Sequence, residues 1–141
     1  MAAENNLQRF IDAQNSDYAI ALAEIRKGKK RSHWMWYIFP QIRGLGHTET
    51  SKYYAIRDIA EAQSYFDHPV LGPRLIAIAQ ELLLLESSNA NEIFGSPDDL
   101  KLKSSLTLFA SIDHTDPVFQ EVLDKFFNGV NDQKTLEIIH K

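Results

Sequence analysis

Apolar side chains recur along most of this chain at steps of three and four residues, the period of one helix face. Leu7, Phe10 and Ile11 open the pattern. Tyr18, Ala21, Leu22 and Ile25 continue it after Asp17, a candidate N-cap, and before Gly28, a residue suited to a helix stop. Ile59, Ala62 and Phe66 form a third amphipathic stretch, which His68-Pro69 should end. Pro73 then opens a longer helix. It carries Leu75, Ile76, Ala79, Leu82, Leu83 and Leu85 on one side and leaves Arg74, Gln80 and Glu86 for solvent. Ser96-Pro97-Asp98-Asp99 is the clearest helix start. Ser96 can cap, Pro97 loses nothing at the first helical position, and the two carboxylates suit the positive end of the dipole. That helix should pass through Leu100, Leu106, Leu108 and Phe109 and stop near Ser111. Asp116-Pro117 repeats the device ahead of Val118, Val122, Leu123, Phe126 and Phe127, with Gly129 as the stop. Asp132 can cap a last short helix bearing Leu136, Ile138 and Ile139.

Two segments resist this period. Trp34–Phe39 is apolar on every side, so a short buried helix capped by Ser32 and ended by Pro40 competes with a two-sided buried strand. Tyr53–Ile56 is equally ambiguous. A helix is favoured for the first, because nothing else in the chain offers a sheet to join. The pattern predicts an all-α fold: one compact domain over residues 1–141 with about six to eight helices and at most a minor extended segment. No internal repeat, low-complexity tract or interdomain linker interrupts it.

Composition narrows the classes. A chain of 141 residues can bury about two-thirds of the surface it exposes when unfolded. Cysteine is absent, which excludes disulfides, thiolate metal sites and a cysteine nucleophile and suits a reducing, cytoplasmic setting. Met1–Asn6 is polar and acidic, unlike a secretory leader, and Leu75–Leu85 is too short to span a bilayer, so no membrane partner is expected. Charge is uneven. Residues 1–60 hold nine Lys/Arg against six acids, net +3, whereas residues 61–141 hold six against thirteen, net −7. Duplex nucleic acid is not expected as a partner, because such binders are usually basic as domains. A small anion needs only a local cluster.

The densest cluster is Arg26-Lys27-Gly28-Lys29-Lys30-Arg31-Ser32-His33, with five cations in six positions. It is either a solvated turn or an anion clamp, in which Ser32 starts a helix whose free N–H groups face the anion and Lys30 or Arg31 adds charge. Trp34, Trp36, Tyr37 and Phe39 are either core or a stacking wall. The loop Gln41–His47 places Gly44 and Gly46 at alternate positions, where backbone can approach a ligand, but it lacks the dinucleotide fingerprint. No two histidines stand at metal-ligand spacing, so no metal site is expected, and no nucleophile elbow is present. His33 and His47 are the better acid–base candidates, while His68 reads as helix-terminal. Asp98 and Asp99 are paired carboxylates that capping already explains. Lys101, Ser104 and Ser105 share one helix face.

The strings Lys30–Ile42, Gly44–His47, Tyr54–Ile56, His68–Leu75 and Ile93–Ser105 together resemble the bacterial family catalogued as domain of unknown function 1810. Members sometimes carry the label calpastatin, although nothing here resembles a calpain inhibitor. The resemblance covers roughly residues 7–139 and implies a compact, mostly helical, cytoplasmic domain with no established activity and no known cofactor. A likeness to domains that process ADP-ribose is analogy only. Polar strings held among aromatics and turns suggest convergence on one pocket. Arg31, Ser32, His33, Trp34, Trp36, Gln41, Arg43 and His47 would form one wall, with His68 and Arg74 nearby. Asp98, Asp99, Lys101 and Ser105 would lie opposite, with His33 and Asp99 handling protons. Such a pocket suits a small polar or anionic, nucleotide-like molecule. The competing expectation is a protein-interaction module with an exposed apolar patch near Phe126-Phe127 or Tyr53-Tyr54.

Overall fold

The computed structural model describes the backbone of residues 2–140 and the side chains of residues 7–140. The opening Met1–Asn6, read above for a leader, therefore lies outside the described side chains. Among the described residues there are nine helices and no strand: α1 (Ala2–Arg26), α2 (Met35–Ile38), α3 (Glu49–Tyr54), α4 (Ile59–Asp67), α5 (Leu71–Leu84), α6 (Ala90–Phe94), α7 (Asp98–Ala110), α8 (Val118–Phe127) and α9 (Gln133–Ile139). The expected all-α class is found, with short helices beyond the expected number. The minor extended segment is a single parallel bridge, in which Ile56 N–H donates to Gln41 C=O at 2.8 Å and Arg43 N–H to Ile56 C=O at 2.8 Å. No helix among the described residues is long and apolar enough to cross a membrane.

Several boundaries follow the chemistry read from the letters. Asp58 and Asp132 cap α4 and α9 through their carboxylates, and Gly28 and Gly129 take positive φ just beyond α1 and α8. Four expectations need correction. Pro73 does not open α5, which starts at Leu71 and takes Pro73 into its first turn, where a missing N–H costs nothing. Asp17 caps nothing, because α1 runs through it without a break and its carboxylate accepts the Tyr37 hydroxyl instead. Ser96 does not cap α7, which begins after Pro97 without a side-chain cap, and Asp99 N–H donates to Gly95 C=O at 2.9 Å. Ser32 does not cap α2, whose first turn follows Trp34. The unpredicted helices α3 and α6 are short and start at Thr48 and Asn89, whose side chains accept the first free N–H groups.

One hydrophobic core joins these helices. α7 and α5 both pack on α8, α5 also packs on α1 and α4, and α9 lies on α7. Phe10 meets Tyr65 edge-on at 5.1 Å and Tyr65 meets Phe109 at 5.3 Å, which stitches α1, α4 and α7 together. Buried Gln14 donates to Tyr37 C=O at 2.7 Å and to the Tyr65 hydroxyl at 2.9 Å, so its amide is satisfied at the centre. Burial raises the Tyr65 phenol well above its ordinary range. Lys125 donates to the C=O groups of Leu82, Leu83 and Leu85, closing the negative end of α5 with a cation. Burial lowers the pKa of that ammonium.

The α4–α5 corner fixes the angle between the two helices. His68 Nδ1 accepts Val70 N–H at 3.0 Å and Leu71 N–H at 3.3 Å, so its ring caps the start of α5. Gly72 comes so close that a Cβ there would lie 2.0 Å from the Phe66 carbonyl oxygen, a backbone atom that cannot swing aside. Gly72→Ala should therefore cost about 2–4 kcal/mol. Gly28→Asn, at φ +79 with open space around it, should cost under about 1 kcal/mol. Urea midpoints of the two variants check this, and equal midpoints would contradict it.

Candidate functional site

The basic run lies between the end of α1 and the start of the aromatic block, and the protein supplies its own anions there. One Glu24 oxygen accepts Arg31 N–H at 2.8 Å, Ser32 N–H at 3.0 Å and Trp34 Nε1–H at 2.8 Å; the other accepts the Ser32 hydroxyl at 2.6 Å. A carboxylate in the last turns of a helix faces the negative end of the dipole and needs such compensation. Burial alone would raise the Glu24 carboxyl, but these donors outweigh it and bring it down to about 2. The expected anion clamp is thus filled by an internal carboxylate, and Ser32 and the N–H of Arg31 are committed to it.

Lys30 points the other way. Its N–H donates to Ile93 C=O at 2.7 Å, and its ammonium lies 2.9 Å from Asp98 Oδ2 and 5.0 Å from the Trp34 ring centre. Asp98 Oδ1 is 3.1 Å from Lys101 Nζ, which lies 3.8 Å from the Trp36 ring centre. Burial opposes ionisation of Asp98, but the hydrogen bonds from Lys30 and Lys101 hold its carboxyl below the usual range. A chain of alternating charge and aromatic face therefore ties the 30–36 segment to the first turn of α7.

That tie opens a cleft of about 350 Å³ between the two predicted segments. Trp36, Gln41, Leu45 and Gly46 form one side, and Pro97, Leu100, Lys101 and Ser104 belong to α7 and its approach, with Asp132 and Lys134 completing it from α9. Asp132 is held there by Thr107, whose hydroxyl accepts Asp132 N–H at 2.8 Å, while its carboxylate caps α9 through Thr135 N–H at 3.0 Å. Among the described side chains that line the cleft, those of Gln41 and Lys134 and the indole N–H of Trp36 have no hydrogen bond or ion pair. Lys101 is already shared between Asp98 and the Trp36 ring.

The convergence is partial. Trp36, Gln41 and Lys101 line the cleft, with Asp98 behind Lys101. Trp34 is buried in the core, as are Tyr37 and Phe39, so core packing accounts for most of the aromatic block. Ser105 is also buried, and its hydroxyl has no partner among the described residues. Arg43 lines neighbouring hollows rather than this one. His33, Arg31 and His47 are exposed and absent from the walls. Asp99 accepts Leu100 N–H at 2.9 Å and Asn91 Nδ2–H at 3.3 Å, a local structural task. His68 caps α5. Arg74 leans on α1, with its guanidinium 5.4 Å from the Tyr18 ring centre and 3.4 Å from Gln14 Oε1. No cluster of three or more His, Asp or Glu able to hold a metal occurs among the described residues. Of the interaction patches, Phe126 and Phe127 are half-buried under Lys125 and Lys103, and Tyr54 packs on Phe10 and Tyr37. Tyr53 remains open.

Sequence patterning left four contributors unnoticed: Glu24, Leu100, Asp132 as a wall, and Lys134. Glu24 and Lys134 stand in ordinary amphipathic helices and carry no local signal.

A compact all-helical fold with an amphipathic cleft between an aromatic loop and a helix start defines a class without an assigned activity. Residues 4–139 match the family described as protein of unknown function (DUF1810), and the chain belongs to that family. It is similar to the conserved hypothetical protein Rv1873 from Mycobacterium tuberculosis, known from a crystal structure. The two share 41% identity over 96% of this chain and 97% of that one, with a TM-score of 0.94. No curated protein matches.

The Glu24 cradle has a pH signature. Its carboxyl lies below its ordinary value of 4.5, so its contribution to stability is complete above about pH 4.5 and fades as pH falls toward about 2. Glu24→Gln should cost about 1–2 kcal/mol at pH 7 and flatten the loss of stability across that acid window. Melting temperatures at stepped pH test both, and parallel curves for the two proteins would contradict the assignment.

Proposed function

We propose that this protein binds a small polar or anionic, nucleotide-like molecule in the cleft between the 36–46 and 97–104 segments. The observation that carries the reading is the pairing of uncommitted polar groups with apolar wall. The Gln41 amide and the Lys134 ammonium have no internal partner, and they open on a hollow bordered by Trp36, Leu45, Pro97 and Leu100. Its volume of about 350 Å³ falls within the range of small-molecule sites. One face of Trp36 is covered by Lys101, so the lysine, rather than the bare indole face, would meet the ligand there. Binding, not catalysis, is proposed, since His33 and Asp99 do not line the cleft. A cytoplasmic setting accords with the cysteine-free composition. An interaction module has less support, because the apolar residues expected to form its patch are largely packed.

A thermal-shift series with AMP, ADP and ADP-ribose tests the proposal. A ligand present at 100 times its Kd should add about 2.7 kcal/mol, or roughly 10 °C for a chain of this size. Gln41→Ala and Lys134→Glu should each reduce the shift. No shift with any of the three, or shifts unaltered in both variants, would sink the proposal.

A further inference from the structure

A second basin, of about 570 Å³, borders the same loop and shares only Lys134 with the cleft above. Its apolar surface is isoleucine. Ile59 of α4 is 39% exposed, and Ile138 and Ile139 of α9 are half-buried. Leaving branched aliphatics open to water is unfavourable, and a solvated helix face rarely gathers them. Arg43, Arg57 and Lys134 also line the basin. The acid among them, Asp58, is already engaged: Oδ1 accepts Glu61 N–H at 2.8 Å and Oδ2 lies 3.6 Å from Arg57 Nε. The side chains of Arg43 and Lys134 have no hydrogen bond or ion pair among the described residues. In a chain of net charge −4, uncommitted cations beside an apolar floor call for an anion with an apolar body.

We propose that this basin binds a free organic anion in which a carboxylate or phosphate monoester is joined to a hydrocarbon body. The hydrocarbon lies on Ile59, Ile138 and Ile139, and the head meets Arg43 and Lys134. The Arg43 guanidinium offers the planar fork that matches either head group. Gly44, at φ +105, brings the loop backbone against Ile138, with a built Cβ only 3.4 Å from its Cδ1, so the loop bounds the basin on that side. This site goes beyond the nucleotide cleft and does not depend on it.

The test titrates the full chain with monomeric decanoate by calorimetry and amide NMR. Decanol, inorganic phosphate and phosphatidylglycerol vesicles serve as comparison arms. Decanoate should bind saturably and shift the signals of Ile59, Ile138 and Ile139, with decanol and phosphate at least about tenfold weaker. Arg43→Glu should weaken decanoate about tenfold, and Ile59→Trp, which fills the basin, should abolish binding. Lys29→Glu, the same charge change on an exposed lysine elsewhere, should leave it unaltered. Unfolding midpoints confirm that the variants are folded. The proposal is overturned by failure to saturate, by equal affinity for decanol, or by indifference to both basin variants. Vesicle binding without saturation by decanoate also overturns it, in favour of a membrane surface. The first cleft is read with nucleotides and this basin with decanoate, so either proposal can fail alone.

Discussion

Two carboxylates, Glu24 and Asp98, hold the turn between α1 and the aromatic block, and the placement of the neighbouring helices depends on them. Glu24 takes the N–H groups on one side and Asp98 takes the Lys30 ammonium on the other. The two carboxylates come from distant parts of the chain, α1 and α7, so holding the turn also fixes where α7 starts relative to the aromatic loop. Lys30 and Asp98 are largely buried, at 7% and 20% side-chain exposure, so the pair is desolvated enough that losing either partner would strand a charge.

The clefts follow from that anchoring. Once Lys30 holds Asp98, Lys101 is drawn over Trp36 and the approach to α7 stands beside the Gln41–Gly46 stretch. Thr107, one turn and a half further along α7, then holds Asp132 and brings α9 with Lys134 to the same place. The last step uses a polar group buried on α7, Thr107, and that helix has no clean amphipathic face because Ser104 and Ser105 are buried as well, alongside Leu102, Leu106 and Phe109. A helix covered on nearly every side has little need of periodicity.

That point separates what was legible in the letters from what was not. The all-α class, α4, α5, α8 and α9, and the stops at Gly28 and Gly129 follow from local chemistry, because an amphipathic face and a cap are properties of adjacent residues. The helix over Met35–Ile38 was favoured for lack of a sheet, and that reasoning held. The failures were at long range. Nothing near Asp17 announces that its carboxylate will be taken by Tyr37, and nothing near Ser32 announces Glu24. His68 and Arg74 read as site residues because they are polar letters within an ordered string. In the structure they serve the α4–α5 corner and the packing of α5 on α1. Trp36, Gln41 and Lys101 were legible as cleft residues only because the two segments were taken to meet.

The distinction that best sorts the charged residues is between cations that are consumed and cations that are left over. Arg9, Lys30, Lys101 and Lys125 are consumed: each holds a carboxylate or a set of carbonyls that would otherwise be unsatisfied. Lys27, Lys29, Arg31 and Lys52 make no ion pair among the described residues and stand exposed in water; Arg43 and Lys134 make none either, but they border the apolar hollows beside the loop that carries Gly44 and Gly46. A Cβ at Gly46 would lie 2.6 Å from Ser51, and Gly44 sits at positive φ. The hollow inside that loop is about 20 Å³, room for no more than a water. The loop thus separates the two basins and encloses little space of its own, with Gln41 on the side of one basin and Arg43 on the side of the other. Isolated cations at the edge of an apolar hollow, with no acid to answer them, are where an external anion has something to gain.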